Sequence, residues 1–171
     1  MYKPETSEYA PYYERYISQV SESGVREDFA SQPAELRRAL DGLPEEEGTY
    51  AYEEGKWTIK ELLSHIIDGE RIFAYRILRI SRGDTTPIEG FEQDDYIATS
   101  NANNRSFSDL LDEFEFNRKA NVLMINNLDE TALTRMGTAS DNRVSARALV
   151  SVLIGHVRHH LNILNERYLA Q

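Results

Sequence analysis

The stretch Trp57-Thr58-Ile59-Lys60-Glu61-Leu62-Leu63-Ser64-His65-Ile66-Ile67-Asp68-Gly69-Glu70-Arg71 decides how the chain is read. Thr58 followed by Glu61 fits a capping box, in which each side chain takes the other's backbone N–H, so a helix starts here. Apolar residues then recur at helical spacing to about Ser81, where Arg82-Gly83-Asp84 supplies a stop. With His65 at 0° on a helical wheel, Leu62, Phe73, Ile80, Ile66 and Ile77 fall between about 60° and 120°. His65 therefore borders the face that packs inward. Gly69 lies near it, at about 40°. A mid-helix glycine costs roughly 1 kcal/mol against alanine, so close helix approach or room for a ligand is expected there.

A second stretch, Gly155-His156-Val157-Arg158-His159-His160, sits inside a helix predicted over 145–169. With His156 at 0°, Leu153, Leu164, Val157, Val150 and Leu161 fall between about 60° and 140°. His160, at about 40°, flanks that apolar face, whereas His159, near −60°, points to the polar side. Two readings stand. A lone histidine on an apolar flank is most often a hydrogen-bonded core residue. The i, i+4 pair with a third imidazole from a facing helix can instead form a three-nitrogen metal site with open positions, the usual form of a catalytic centre. H-x-x-x-H without a following glutamate is a weak motif by itself.

Working outward, 11–20 reads as a short amphipathic helix and 25–41 as another, with Pro33 expected to bend or split it. Residues 84–105 read as a long loop with room for a helical turn, and loops of that length are often functional. A further helix is predicted over 107–127, capped by Ser106, and 129–142 as a second connection. No strand run stands out. Long helices with apolar stripes predict an all-α bundle, where sites form between facing helices.

The totals narrow the function. The 171 residues fit one domain over 1–171 with a substantial core. Without cysteine, disulfides and thiolate metal sites are excluded, so any metal is held by histidine and carboxylate. A net charge of −10, from 19 basic and 29 acidic residues, disfavours nucleic acid as a partner. No apolar run approaches a membrane span and no signal segment opens the sequence, so no membrane partner and a cytoplasmic location are expected. A row of Leu63, Ile67, Ala74 and Leu78 lies off the His65-side stripe. It predicts either a homodimer face or burial within the chain.

Lys56-Trp57-Thr58-Ile59-Lys60-Glu61, His65-Ile66-Ile67-Asp68-Gly69-Glu70-Arg71, Phe73-Ala74-Tyr75-Arg76, Arg82-Gly83-Asp84, Gly90-Phe91 and the 155–169 stretch follow one another across most of 50–169. In that order and spacing they resemble the DinB-like family of metal-binding four-helix bundles. The resemblance implies an up-down-down-up course with long connections. It also implies a divalent-metal site of His65, His156 and His160, with no ligand position lost. Family members of known activity include thiol S-transferases that use bacillithiol or mycothiol and thiol-dependent isomerases; others are grouped as metal-dependent hydrolases. The damage-inducible family name does not imply DNA binding.

Residues near the histidines carry paired readings. Asp68, one turn after His65, either orients an imidazole or a bound water or is a solvated helix charge. Arg76, on the same edge as Glu61, either binds a carboxylate of a thiol cofactor or pairs with a neighbouring acid. Trp57 either anchors the helix start or walls a cleft. The loop with Phe91, Asp94, Asp95 and Tyr96 is either a surface excursion or a cover for the site. Zinc or nickel on three neutral imidazoles would activate a low-molecular-weight thiol such as bacillithiol for S-transfer to a small-molecule substrate. Water in the same place gives a hydrolase, and a bundle with no open coordination position gives a non-catalytic metal-binding protein. No catalytic base is evident beside the His pair.

Overall fold

The computed structural model describes residues 3–20 and 25–170. In chain order it has 3-10 turns over Thr6–Glu8 and Pro11–Tyr13, a short helix α1 (Glu14–Ile17), α2 (Val25–Ala39) and a 3-10 turn over Glu45–Thr49. Then come α3 (Ile59–Ser81), α4 (Gln93–Thr99), a 3-10 turn over Ala102–Asn104 and α5 (Phe107–Asn126). The chain continues through α6 (Glu130–Thr134), strands β1 (Met136–Ala139) and β2 (Asn142–Ser145), α7 (Ala146–Ile163) and a π turn over Leu164–Tyr168. No described helix is long and apolar enough to cross a membrane.

Side-chain oxygens hold the helix starts. Thr58 Oγ1 accepts from the Glu61 N–H at 3.1 Å, while Glu61 accepts from the Thr58 N–H at 2.8 Å, closing the expected capping box. Ser106 Oγ accepts from the Asp109 N–H and Ser145 Oγ from the Ala148 N–H, capping α5 and α7 by a single bond each. Gly83, at φ +82°, ends α3 in a left-handed conformation that other residues adopt only with strain.

α3 packs on α7 and α5, and α2 packs on the same two helices. The long helices thus form a ring in the order α2, α5, α3, α7. Consecutive α2 and α3 face each other diagonally, as do α5 and α7, which is why their connections are long. The core has two apolar clusters. Phe29 of α2, Phe73–Ile80 of α3, Ile125 of α5 and Ala146–Ile154 of α7 contribute to one. Leu36, Ile59–Ile67, Phe107–Phe114 and Val157–Leu161 contribute to the other. α2 and α7 therefore run from the first cluster to the second and α3 and α5 run back, an up-down-down-up course.

Between the clusters lies a polar layer to which every long helix contributes. Arg118 of α5, 1% exposed, donates from Nε and Nη2 to the two carboxylate oxygens of Glu70 on α3, both at 2.8 Å. Its Nη1 donates to Gln32 Oε1 of α2 at 2.7 Å, and Gln32 Nε2 donates to the Ile154 carbonyl of α7 at 2.9 Å. Asn121 donates to Glu70 Oε1 at 2.9 Å.

The structure departs from the sequence reading in several places. Residues 11–20 make a 3-10 turn and one turn of helix rather than a continuous helix. α2 runs through Pro33 without a break. Phe29, Gln32 and Leu36 are buried around it, and that packing outweighs the one hydrogen bond the proline cannot donate. The 84–105 loop contains α4. The connection predicted over 129–142 holds α6 and the first strand of a β-hairpin that runs on to Ser145, paired from Met136↔Ser145 to Ala139↔Asn142. Four-residue strands are too short to show a period, and the Ser140-Asp141 turn lacks the usual Asn-Gly signal. Leu63, Ile67 and Ala74 are buried within the chain, the first two against α5; only Leu78, at 39%, is exposed. The row from which a dimer face was expected is therefore covered by the chain itself.

Removing one partner of a buried, hydrogen-bonded ion pair costs about 3–5 kcal/mol, while replacing both with apolar residues is often neutral. Arg118→Met is expected to lower unfolding stability by about that amount. The Arg118→Met/Glu70→Met pair should recover most of the loss, read as urea midpoints at constant slope.

Candidate metal centre

His65 reaches inward from α3, and His156 and His160 from one face of α7; all three are buried. One ring nitrogen from each lies within 4.8 Å of the others. His65 and His156 approach to 2.9 Å between Nε2 atoms. Nitrogens bound to one tetrahedral zinc at about 2.05 Å sit about 3.3 Å apart, so this cluster fits a divalent metal with small adjustments. His160 Nδ1 is buried without a hydrogen-bond partner, which marks a polar group the protein alone leaves unsatisfied.

Burial, the dominant cause, holds the histidines neutral. It brings His65 to about 4, with the Asp94 charge opposing the shift. It takes His156 and His160 well below the usual histidine value, and the neighbouring imidazoles push the same way. Neutral imidazole is the form that binds metal. Among the described residues no carboxylate hydrogen-bonds any of the three rings.

Two glycines seat the cluster. A Cβ on Gly69 would lie 2.6 Å from His156 Cε1, so only glycine lets that ring cross α3 here. A Cβ on Gly155 would lie 2.0 Å from the Tyr16 carbonyl oxygen, so glycine also lets the N-terminal segment close over α7. Tyr16 then packs edge-on against His156 at 5.5 Å and His159 at 5.6 Å, and Phe73 meets His156 at 5.4 Å. Trp57 lies 4.7 Å from His65, so it walls the site while also packing on the second core cluster.

The histidines open onto a cavity of 770 Å³. Gly90–Asp94 form part of its wall, so of the loop residues considered as a cover Phe91 and Asp94 border the cavity, while Asp95 does not and Tyr96 lines separate depressions. The sequence reading missed Tyr12, Tyr13, Arg15 and Tyr16, and Ser140 and Asn142 from the hairpin, because no local pattern links those segments to the histidines. His159 is half-buried and lines the same cavity rather than facing away, although it stands outside the three-nitrogen cluster. Asp68 is placed elsewhere. It lines a separate depression with Ser64, Tyr96 and Arg105, its carboxyl is raised mainly by burial, and it bonds no imidazole. Arg76 lines the histidine cavity and pairs with no acid among the described residues.

The sequence pattern of the DinB superfamily matches residues 28–164, and the chain belongs to that superfamily. A similar solved structure is YfiT from Bacillus subtilis, described as a probable metal-dependent hydrolase with an unusual four-helix bundle topology. The two superpose with a TM-score of 0.78 at 15% identity, covering 96% of this chain and 90% of that one. At that identity the likeness shows the fold. No functionally curated protein matches the chain significantly.

His160→Ala is expected to weaken zinc binding by more than the roughly hundredfold that loss of a supporting hydrogen bond costs a metal site. His159→Ala should leave affinity within about threefold of the parent, since His159 is not in the cluster. Competition with a chromogenic chelator measures both, and equal losses would refute the ligand set.

Burial also links the histidines to acid stability. The unfolded chain takes up protons near pH 6.5, which the folded metal-free protein accepts only at lower pH. Their contribution to stability is complete above about pH 6.5 and is lost as pH falls toward 4. The urea midpoint of metal-free protein should therefore drop more between pH 7 and pH 5 than that of His160→Gln; parallel drops would exclude these groups as the cause.

Proposed function

We propose that the protein is a metal-dependent enzyme in which His65, His156 and His160 hold one divalent ion, zinc or nickel. The cavity beside them takes a small-molecule substrate together with a low-molecular-weight thiol such as bacillithiol, for S-transfer. The observation that carries this reading is the meeting of three neutral imidazoles on the wall of a cavity of ligand size. A divalent metal bound there lowers the pKa of an entering thiol or water and supplies a nucleophile at neutral pH. The chain has no cysteine, so a thiol nucleophile comes from outside it.

The residues of the chain have definite tasks in this reading. The rings of Trp57, Tyr16 and Phe73 flank the histidines and keep bulk water from them. Burial keeps the imidazoles unprotonated at working pH. The 90–94 segment, with Gln93 and Asp94, closes one side of the cavity and fixes which substrates enter.

Hydrolysis is the second reading, and one specific observation favours it. Asp94 lines the cavity and its charge acts on His65, so a carboxylate able to take a proton from water is within reach of the site.

Zinc-loaded protein should turn over a model electrophile, such as a chloronitrobenzene, only when thiol is present, with the rate absent in His156→Ala. Turnover of ester or amide substrates in water alone, abolished by Asp94→Asn, would replace S-transfer with hydrolysis. Neither rate, at full metal occupancy, would overturn the enzymatic reading.

A further inference from the structure

Two arginines of the described residues are buried, and they are treated differently. Arg118 meets a carboxylate with both prongs of its guanidinium. Arg76, 3% exposed, has no carboxylate within ion-pair distance among the described residues. Its Nη2 donates to the Glu89 backbone carbonyl at 3.1 Å and to Ser140 Oγ at 2.8 Å, both neutral acceptors. Its Nε is buried with no acceptor. A buried cation without a counter-charge is strongly unfavourable, so folded proteins keep one chiefly where a ligand completes it.

Its surroundings are built rather than incidental. Ser140 lies in the two-residue turn between β1 and β2, with φ +49° there and +61° at Asp141. Such backbone is costly for a serine and persists where the surroundings enforce it. The Ser140 N–H donates to the Ile88 carbonyl at 2.9 Å and the Asn142 side chain donates to the Ser140 carbonyl at 2.6 Å, so the hydroxyl is fixed against the guanidinium. Arg76 and Ser140 both line the histidine cavity. Arg76 also shares the His65 face of α3, and it lies seven residues, about 10 Å of helix, beyond the Gly69 that seats His156. Phe73 fills the interval, 5.4 Å from His156 and 5.8 Å from the Arg76 guanidinium carbon.

The remaining charges of the cavity do not satisfy this cation. Glu92 and Asp94 are on its wall, but Asp94 acts on His65. Beyond burial, the group felt at Arg76 is the Tyr13 hydroxyl. Arg15, exposed at the cavity, adds a second positive charge with no ion-pair partner among the described residues.

We propose that Arg76, oriented by Ser140, is an anion subsite that binds the carboxylate end of a small organic acid whose other end, across Phe73, reaches the three histidines. The ligand carries its carboxylate and its reacting group at opposite ends, far enough apart to span Phe73, whose ring lies 5.4 Å from His156 and 5.8 Å from the guanidinium carbon. This rests on the metal-centred reading only for which end reacts.

Two hydroxamates, which bind a divalent metal whatever reaction it serves, test the subsite by calorimetry on zinc-loaded protein. Adipic monohydroxamate, with a free carboxylate, is expected to bind roughly tenfold or more tightly than hexanohydroxamate, which ends in a methyl group. Arg76→Gln should erase that preference while zinc content and hexanohydroxamate affinity stay unchanged. Ser140→Ala, in the hairpin turn, should reduce the preference severalfold. No preference in the parent protein, or one that survives Arg76→Gln, would overturn the proposal. Zinc-independent binding of both hydroxamates would instead count against the metal reading. Adipate alone on metal-free protein then decides the subsite: binding lost in Arg76→Gln supports it, and equal or absent binding overturns it.

Discussion

The polar layer centred on Arg118 is the constraint from which the site's geometry follows. Apolar packing brings helices together but is tolerant of sliding, because one aliphatic contact substitutes for another. A guanidinium bonded to Glu70 and Gln32, with Gln32 bonded on to the Ile154 carbonyl, has no comparable freedom. It fixes the relative height of all four long helices. Glu70 directly follows Gly69, and Ile154 lies two residues before His156. Pinning Glu70 and Ile154 to one network therefore brings the bare backbone of Gly69 opposite the His156 ring. The precision a metal site needs comes from a hydrogen-bonded layer beside it, not from the apolar clusters above and below.

The same height of the bundle holds two kinds of buried polar group, resolved in opposite ways. At Arg118 the cation is answered inside the protein, so that part of the layer is closed and structural. At the histidines the groups are held neutral by burial, and His160 keeps an unsatisfied nitrogen. Three neutral donors leave a bound divalent ion with its full positive charge, a setting that favours anionic ligands in its open positions. With Arg76 also uncompensated, one cavity carries two separate demands for negative charge in a protein whose net charge is −10.

What the sequence made legible and what it did not divide along a physical line. The capping box at Thr58, the helix over 59–81 and the placement of His156 and His160 on one flank depend on interactions within a few residues, and local pattern reads such interactions well. Excluding His159 from the cluster followed from the wheel, but its place on the cavity did not, because Tyr16 turns that edge of α7 inward from a distant segment. The Arg118 layer was invisible for a similar reason. An arginine, a glutamate and a glutamine at those positions look like solvated polar helix residues until four helices meet around them. The hairpin was missed because its strands are shorter than any period they could display. Its Gly137 faces Ile80 so closely that a Cβ would lie 2.5 Å away, a requirement set by α3 rather than by the hairpin's own sequence.

The division also separates the three-histidine cluster from the rest of the cavity wall. All three nitrogen donors stand on α3 and α7, the two helices with the most extensive mutual packing, where small shifts are costly. The cavity walls come mostly from outside the four long helices: the 12–16 stretch, Trp57, the 90–94 passage and the hairpin residues Ser140 and Asn142. Two of them are held to each other by backbone bonds, from the Ile88 N–H to the Thr138 carbonyl and from the Ser140 N–H to the Ile88 carbonyl. Segments of that kind change shape and composition without disturbing the core. The four-helix bundle shared with YfiT at 15% identity thus carries no information about what fills the cavity. In this chain the cavity wall is set by residues such as Tyr13, Arg76, Asp94 and Ser140, only one of which lies on a core helix.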